Sequence, residues 1–261
     1  MSATGLPFKL SRPLDWIVGT GDDRMSDENR ELPPHRLWQP TTAKWFLVIL
    51  GFSLPYAVIR YHFAGDVPWR HFPLFILNKI TSLAAVIFVA CSYLIGKIIR
   101  WHDHDKALRL VVIKFCGLMG FFLAAVHAFF SLSLLSPAYY GKYFDDGGRL
   151  NLQGEVAMTV GVLGLFFLLA PAVTTLPMMP KAIGGWRWKR NQRAGYIALA
   201  LVVVHLVVLG IKGWLAPKGW HGGIPPVSLV AVVAALLPLL VKRKLERDKK
   251  APAEANAGNK E

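Results

Sequence analysis

The chain has 261 residues, of which 54% are hydrophobic, and its 30 Lys and Arg residues outnumber 16 Asp and Glu residues, which gives a formal net charge of +14. The mean hydropathy is +0.39, and the apolar residues stand in long unbroken blocks that the core of a soluble domain would not contain. These properties exclude a soluble globular protein and indicate an integral membrane protein. A nucleic-acid-binding protein is also disfavoured, because no recognisable binding motif accompanies the basic segments.

The first 41 residues are polar, carry mixed charges and include Pro33-Pro34. No apolar core follows a basic start, so this segment is not typical of a cleavable signal peptide. We expect residues 1–41 to form a cytoplasmic N-terminal arm. At the other end, residues 242–261 are charged and Ala-rich without apolar periodicity, which predicts a basic, disordered cytoplasmic tail.

Residues 42–241 form the predicted membrane domain, with six stretches long enough to cross a hydrocarbon core of about 30 Å. Helices are expected because an isolated apolar span must close its own backbone hydrogen bonds, and the alternating pattern of a membrane barrel is absent. The fold class is therefore all-α integral membrane, a six-helix transmembrane bundle. The predicted spans are 45–61, 73–99, 108–135, 156–176, 194–215 and 224–241.

The distribution of Lys and Arg predicts how the bundle is oriented. Basic residues are concentrated in the N-terminal arm, between the second and third spans, in the loop 184–193 (GGWRWKRNQR) and in the tail. The other three connections hold few, namely Arg70, Lys142, Arg149, Lys212 and Lys218. By the positive-inside rule, the N and C termini are both cytoplasmic, as in a protein of the bacterial inner membrane.

Two histidines, His127 and His205, lie inside the apolar runs of the third and fifth spans. An imidazole in a bilayer core needs a partner, and two imidazoles at similar depth on different helices can ligate one heme iron. Counted at about 1.5 Å per residue, His205 lies near the middle of its span and His127 toward the outer end, an offset that helix tilt can absorb. The alternative is that each forms only an interhelical hydrogen bond, in a heme-free scaffold or transporter subunit.

The other polar residues can be explained by structure alone, without a functional role. The sequence HDHD at 102–105 could chelate a divalent metal, although a short solvated connection explains it equally simply. Lys79 and Lys114 lie near span ends, from which a lysine can extend its ammonium group to the interface. Cys91 and Cys116 fall within spans and are expected to be buried thiols without a disulfide. No CxxCH occurs, which excludes covalent c-type heme attachment by that motif.

The run 188–196 (WKRNQRAGY), followed by His205, resembles the signature W-[KR]-R-L-H-R-x-x-Y, then His, of the ferric reductase-like transmembrane domain family. That family includes ferric reductases, NADPH oxidases and the MsrQ-like heme-binding membrane subunits of methionine sulfoxide reductase systems. Segment 168–176 and the residues from Gly120 to His127 are similar to further family segments, and the similarity covers roughly residues 80–215.

In that family two b hemes can be stacked across the membrane, each held by histidines of the third and fifth helices. His127 and His205 match the outer pair. Where the family often has an inner histidine in the W-[KR]-R-L-H-R motif, this chain has Gln192. The second inner ligand would precede His127 on the third helix by the distance between the two hemes, and at that position this chain has Lys114 or Ile113. The resemblance therefore implies one heme b, with His127 and His205 as axial ligands of its iron, and no catalytic residue.

An iron with two imidazole ligands transfers single electrons without binding substrate. The resemblance implies a cytochrome b-like electron-transport subunit of an oxidoreductase, without its own flavin or nicotinamide domain. The expected donor is a quinol or a flavoprotein, and the expected acceptor is a periplasmic redox protein or a metal ion. Whether an inner cavity near Lys114 and Gln192 holds a flavin or quinone stays open. A group of basic residues would favour an anionic partner such as a flavin phosphate, a lipid headgroup or an acidic protein surface, or has a topological role alone: Arg187, Lys189, Arg190 and Arg193.

Overall fold

The computed structural model describes residues 37–98, 106–176, 179 and 183–258. Predictions that concern residues 1–36, the HDHD sequence at 102–105 and residues 259–261 lie outside the described residues. Six long helices account for most of the described chain. They are α1 (Pro40–Val58), α2 (Leu77–Ile98), α3 (Lys106–Ser133), α4 (Leu152–Thr174), α5 (Gly185–Trp214) and α6 (Val227–Gly258).

The six helices confirm the predicted number and order of membrane spans. By length and apolar composition, six segments can cross a membrane: Pro40–Phe63, Trp69–Ile98, Leu108–Ser133, Leu152–Thr174, Trp186–Trp214 and His221–Leu245. The first and second of these include π-helical turns, Ile59–Phe63 and Phe72–Ile76, which continue α1 and precede α2. The chain is thus an all-α, multi-pass integral membrane protein.

The start of the fifth helix differs from the prediction. The segment 184–193 was expected to be a basic loop, but α5 begins at Gly185, directly after Gly184 with a φ of 76° that glycine adopts without strain. The residues that follow contain Arg, Lys and Gln, which favour helix, and no proline, so the helix extends beyond the apolar run. Helix α6 is described as far as Gly258, and the basic, disordered cytoplasmic tail expected over residues 242–261 stays a prediction.

Packing within the bundle brings two helix pairs together. α2 packs along α3, α4 packs along α5, and α6 contacts both α5 and α2. Gly120 permits the close approach of α3 to α2, because a Cβ atom at Gly120 would lie 2.6 Å from Val89 Cγ2 and 2.9 Å from the Val89 backbone nitrogen. The core between α1, α2 and α3 is filled by large side chains that include Phe88 and Phe115.

Apolar side chains also cover the outside of the bundle. Leu47, Phe122, Phe129 and Phe166 are each at least 59% exposed in the isolated chain. Lipid tails are as apolar as these side chains, so such a surface is stable in a bilayer and not in water. The outer surface therefore agrees with the membrane assignment made from the helix lengths.

The connection between α3 and α4, residues 134–151, folds over one end of the bundle. It contains a helical turn, Pro137–Tyr140, a 3-10 turn, Gly141–Tyr143, and one antiparallel bridge between Phe144 and Leu150. The Tyr143 hydroxyl donates to the carbonyl of Leu209 on α5 at 3.1 Å. This connection is therefore anchored on α5 and forms a wall of the site described next.

Candidate cofactor-binding site

The two sequence-predicted histidines meet at one cavity. It lies between α2, α3, α4 and α5, each of which contributes lining residues. We call it the histidine cavity. Its lining residues are Asn78, Lys79, His127, Ser131, Leu135, Tyr140, Tyr143, Leu150, Gly154, Ala157, Met158, His205 and Leu209.

His127, on α3, is oriented by Asn78, which lies in the first turn of α2 and is 1% exposed. The Nδ1 atom of His127 lies 2.5 Å from Asn78 Oδ1. The Asn78 amide nitrogen donates to Ser131 Oγ at 3.2 Å and to the Tyr140 hydroxyl at 3.1 Å, so its oxygen is the atom that faces the imidazole. Because an amide oxygen only accepts, Nδ1 of His127 carries the proton and Nε2 keeps a lone pair.

His205, on α5, is held in the same tautomer by α4. Its Nδ1 atom lies 2.8 Å from the Ala157 carbonyl oxygen, which can only accept a hydrogen bond. One turn along α4, a Cβ atom at Gly161 would lie 2.9 Å from His205 Nδ1 and 3.0 Å from Cε1. A glycine at position 161 therefore leaves the space that the imidazole ring occupies.

Both rings thus have Nδ1 hydrogen-bonded and Nε2 available. Across the described ranges, Nε2 of neither histidine has a hydrogen-bond partner. Metal-ligating histidines commonly donate their second ring N–H to a carbonyl or carboxylate, which fixes the tautomer and the ring orientation. Two imidazoles prepared in this way on different helices are the donor set of a six-coordinate b-type heme, so the residues fit that group.

A second cavity contains the residues that replace the family's inner ligands, and we call it the Lys114–Gln192 cavity. Gln192 donates from its amide nitrogen to the Pro171 carbonyl oxygen at 3.2 Å and to Thr174 Oγ1 at 3.1 Å. No histidine is among its described lining residues. This donor set does not fit a second heme with two imidazole ligands.

The structure adds little support for the other candidate sites that the sequence suggested. Among the described residues, no group of three or more His, Cys, Asp and Glu side chains could hold a metal ion. Both cysteines are free thiols; Cys116 is buried, as predicted, whereas Cys91 is half-buried. In the basic segment, the Arg190 guanidinium lies 4.8 Å from the Trp186 ring centroid, on the first turns of α5.

Sequence reasoning missed three residues of the site: Asn78, Gly161 and Tyr140. Asn78 carried a usable signal, because a neutral polar side chain inside an apolar span usually has a specific partner. Gly161 lies inside an apolar span, where a glycine by itself indicates only close helix packing. Tyr140 lies in a connection whose course over the cavity is not visible from residue order.

Comparison with known proteins agrees with the geometry. No protein-family model matches the chain. It is 25% identical to the metalloreductase STEAP2 of Mus musculus over 295 aligned residues, which cover 93% of this chain and 58% of that protein. It is 26% identical over 166 residues to the protein-methionine-sulfoxide reductase heme-binding subunit MsrQ of Herminiimonas arsenicoxydans, with 63% of this chain and 69% of that protein covered.

A third relative is the magnetosome protein MamZ of Magnetospirillum gryphiswaldense, 25% identical over 230 residues that cover 85% of this chain and 32% of that protein. The chain spans only a little over half the length of STEAP2. Its relatives thus include STEAP metalloreductases and MsrQ heme-binding subunits, which confirms the resemblance to ferric reductase-like transmembrane proteins.

Proposed function

We propose that this chain is a b-type heme membrane electron-transfer protein, in which His127 and His205 are the axial ligands of one heme. One observation carries the proposal: two histidines from different spans line one cavity, each with Nδ1 hydrogen-bonded to an oxygen acceptor. The relatives support it, because MsrQ is named a heme-binding subunit and STEAP2 a metalloreductase.

A heme bound there would supply single-electron chemistry at an iron with no open coordination position. The protein residues have separate tasks around it. His127 and His205 offer their Nε2 lone pairs, while Asn78 and the Ala157 carbonyl hold the Nδ1 protons and orient the rings. Gly161 leaves space for the His205 ring.

The proposed direction of electron transfer depends on topology. With both termini cytoplasmic in a bacterial inner membrane, the connection 134–151 lies on the periplasmic side, and it forms one wall of the histidine cavity. Electrons then pass from a cytoplasmic-side quinol or flavoprotein toward a periplasmic redox protein or a metal ion. The Lys114–Gln192 cavity, on the donor side, is the place where a flavin or quinone would enter.

The test is an absorption spectrum of the full chain, purified in detergent from cells supplied with a heme precursor. The expected result is a red protein with a sharp Soret band that shifts on reduction with dithionite. A colourless protein that also fails to take up added hemin would refute the proposal. In that case the two interhelical hydrogen bonds would be only packing contacts of a heme-free scaffold or transporter subunit.

A further inference from the structure

A lysine side chain lies in the wall of the histidine cavity, within a group of aromatic rings. Lys79 follows Asn78 on α2, and its Nζ atom is 5.0 Å from the ring centroid of Phe75, 5.2 Å from that of Tyr140 and 6.0 Å from that of Tyr61. No described carboxylate forms a salt bridge with Lys79. The ammonium group is thus held by ring faces at the cavity wall, with no anionic partner among the described side chains.

A second lysine stands at the same end of the cavity. Lys142 Nζ lies 4.7 Å from the Tyr143 ring centroid and donates to the Leu209 carbonyl at 3.3 Å, and both of these partners line the cavity. Partial burial lowers the pKa of Lys142, and the positive charges of Lys79 and Lys212 lower it further. Positive charges near Lys142 disfavour its charged form, so an anion close to its ammonium group would be bound favourably.

We infer that Lys79 and Lys142 bind the two propionate carboxylates of the heme, with Lys79 as the principal anchor; this inference rests on the proposed function. Heme is an apolar macrocycle with two carboxylates, and a carboxylate leaving water needs a cation or several donors as partners. Lys79 lines the cavity, and Lys142 is exposed beside the lining residues Tyr143 and Leu209. The Tyr140 hydroxyl, which accepts from the Asn78 amide nitrogen, adds a donor beside Lys79.

The aromatic rings around Lys79 strengthen the argument. A lysine that only extends to the membrane surface keeps its rotamer freedom, whereas Lys79 is confined by residues from three different segments: Tyr61, Phe75 and Tyr140. Part of the side-chain conformational entropy that Lys79 would lose on binding a ligand is therefore already lost in the protein without the ligand. Such confinement reduces the entropic cost of binding when the ammonium group must contact a ligand group at a fixed position.

The experiment pairs a protein variant with a ligand variant. Heme-free full-length chain is titrated with hemin and with hemin dimethyl ester, whose propionates are esterified, for the wild type, Lys79→Met and Lys218→Met. Lys218 is an exposed lysine outside the cavity and serves as the matched control. Lys79→Met should bind hemin about ten- to a hundredfold more weakly than the wild type, the range of one charge-assisted hydrogen bond, and should bind the ester as the wild type does. Lys218→Met should match the wild type with both ligands.

The remaining outcomes each decide a point. Equal weakening of hemin and ester binding would show that Lys79 supports only the cavity's structure and would overturn the inference. Unchanged hemin binding by Lys79→Met would also overturn it. If adding citrate shifts the Soret band of the wild-type holoprotein and not that of Lys79→Met, Lys79 binds an external carboxylate instead, and the inference is overturned. A wild-type chain that binds neither ligand refutes the proposed function, and the inference with it.

As a second measurement, the midpoint potential of hemin-loaded Lys79→Met should be lower than that of the wild type, because a positive charge near the iron has been removed.

Discussion

Replacing Gly161 by alanine tests whether the His205 ring must occupy its observed position. Helix α4 approaches the imidazole so closely that a Cβ atom at residue 161 would lie 2.9 Å from His205 Nδ1 and 3.0 Å from Cε1. Favourable contacts between such atoms occur at about 3.5–4.0 Å, so the ring or the helix must move by about 0.5–1 Å. The backbone of α4 is packed along α5. We therefore expect the ring to be displaced.

The energetic cost follows from two losses. Displacement weakens the 2.8 Å hydrogen bond between His205 Nδ1 and the Ala157 carbonyl, worth about 1 kcal/mol, and overpacking adds about 1–3 kcal/mol. A total of about 2–4 kcal/mol corresponds to a reduction in heme affinity of about thirty- to a thousandfold. The gain in helix propensity from glycine to alanine, about 1 kcal/mol, acts on chain stability and does not restore the ring position.

Gly164→Ala is the matched control, one turn further along α4. A Cβ atom there would meet its nearest neighbours, Leu201 Cβ and Val202 Cγ2, at the ordinary distances of 3.6 and 3.7 Å. The assay is a hemin titration followed through the Soret band, with the low-spin fraction recorded in the same spectra. Gly164→Ala should resemble the wild type. If Gly161→Ala binds heme with the same affinity and spin state as Gly164→Ala, the role given to His205 is refuted.

Three further predictions follow from the site. His127→Ala and His205→Ala should each lose heme or give a high-spin spectrum, whereas His221→Ala, in an exposed turn, should keep the wild-type spectrum; two single variants with unchanged low-spin spectra would refute the ligand assignment. Gln192→His should not add a second heme, because the partner helix has no histidine near Ile113, and a full second equivalent in the pyridine hemochrome assay would contradict this. In right-side-out vesicles, an impermeant oxidant added outside should reoxidise the reduced heme much faster than the same oxidant trapped inside; equal rates, or a faster rate from within, would contradict the proposed topology.

The spans could be predicted from the sequence because the bilayer itself imposes their length and apolarity. The helix ends could not. At the start of α5 the chain leaves the hydrocarbon region, where local helix propensity decides the structure and apolarity carries no information. The prediction failed at this end, where charged residues that favour helix were interpreted as a loop.

The residues of the site also divide into those that could be predicted from the sequence and those that could not. His127 and His205 were identifiable because an imidazole in an apolar span is rare and costly without a partner. Their supporting groups were not, because the contact of Asn78 with His127 depends on α2 packing along α3, and that of Gly161 with His205 on α4 packing along α5. Residue order does not reveal which helices are neighbours. Lys79 was expected only to extend toward the interface, since the aromatic rings around it come from segments distant in sequence.

The most direct test of the central claim is the pyridine hemochrome assay on the purified wild-type chain, with the protein concentration determined by quantitative amino-acid analysis. A single heme held between His127 and His205, with no imidazole among the described lining residues of the Lys114–Gln192 cavity, predicts about one heme b per chain. A value near zero after hemin supplementation would contradict the proposed function. A value near two would show that the Lys114–Gln192 cavity binds heme without histidine and would contradict the ligand assignment made here.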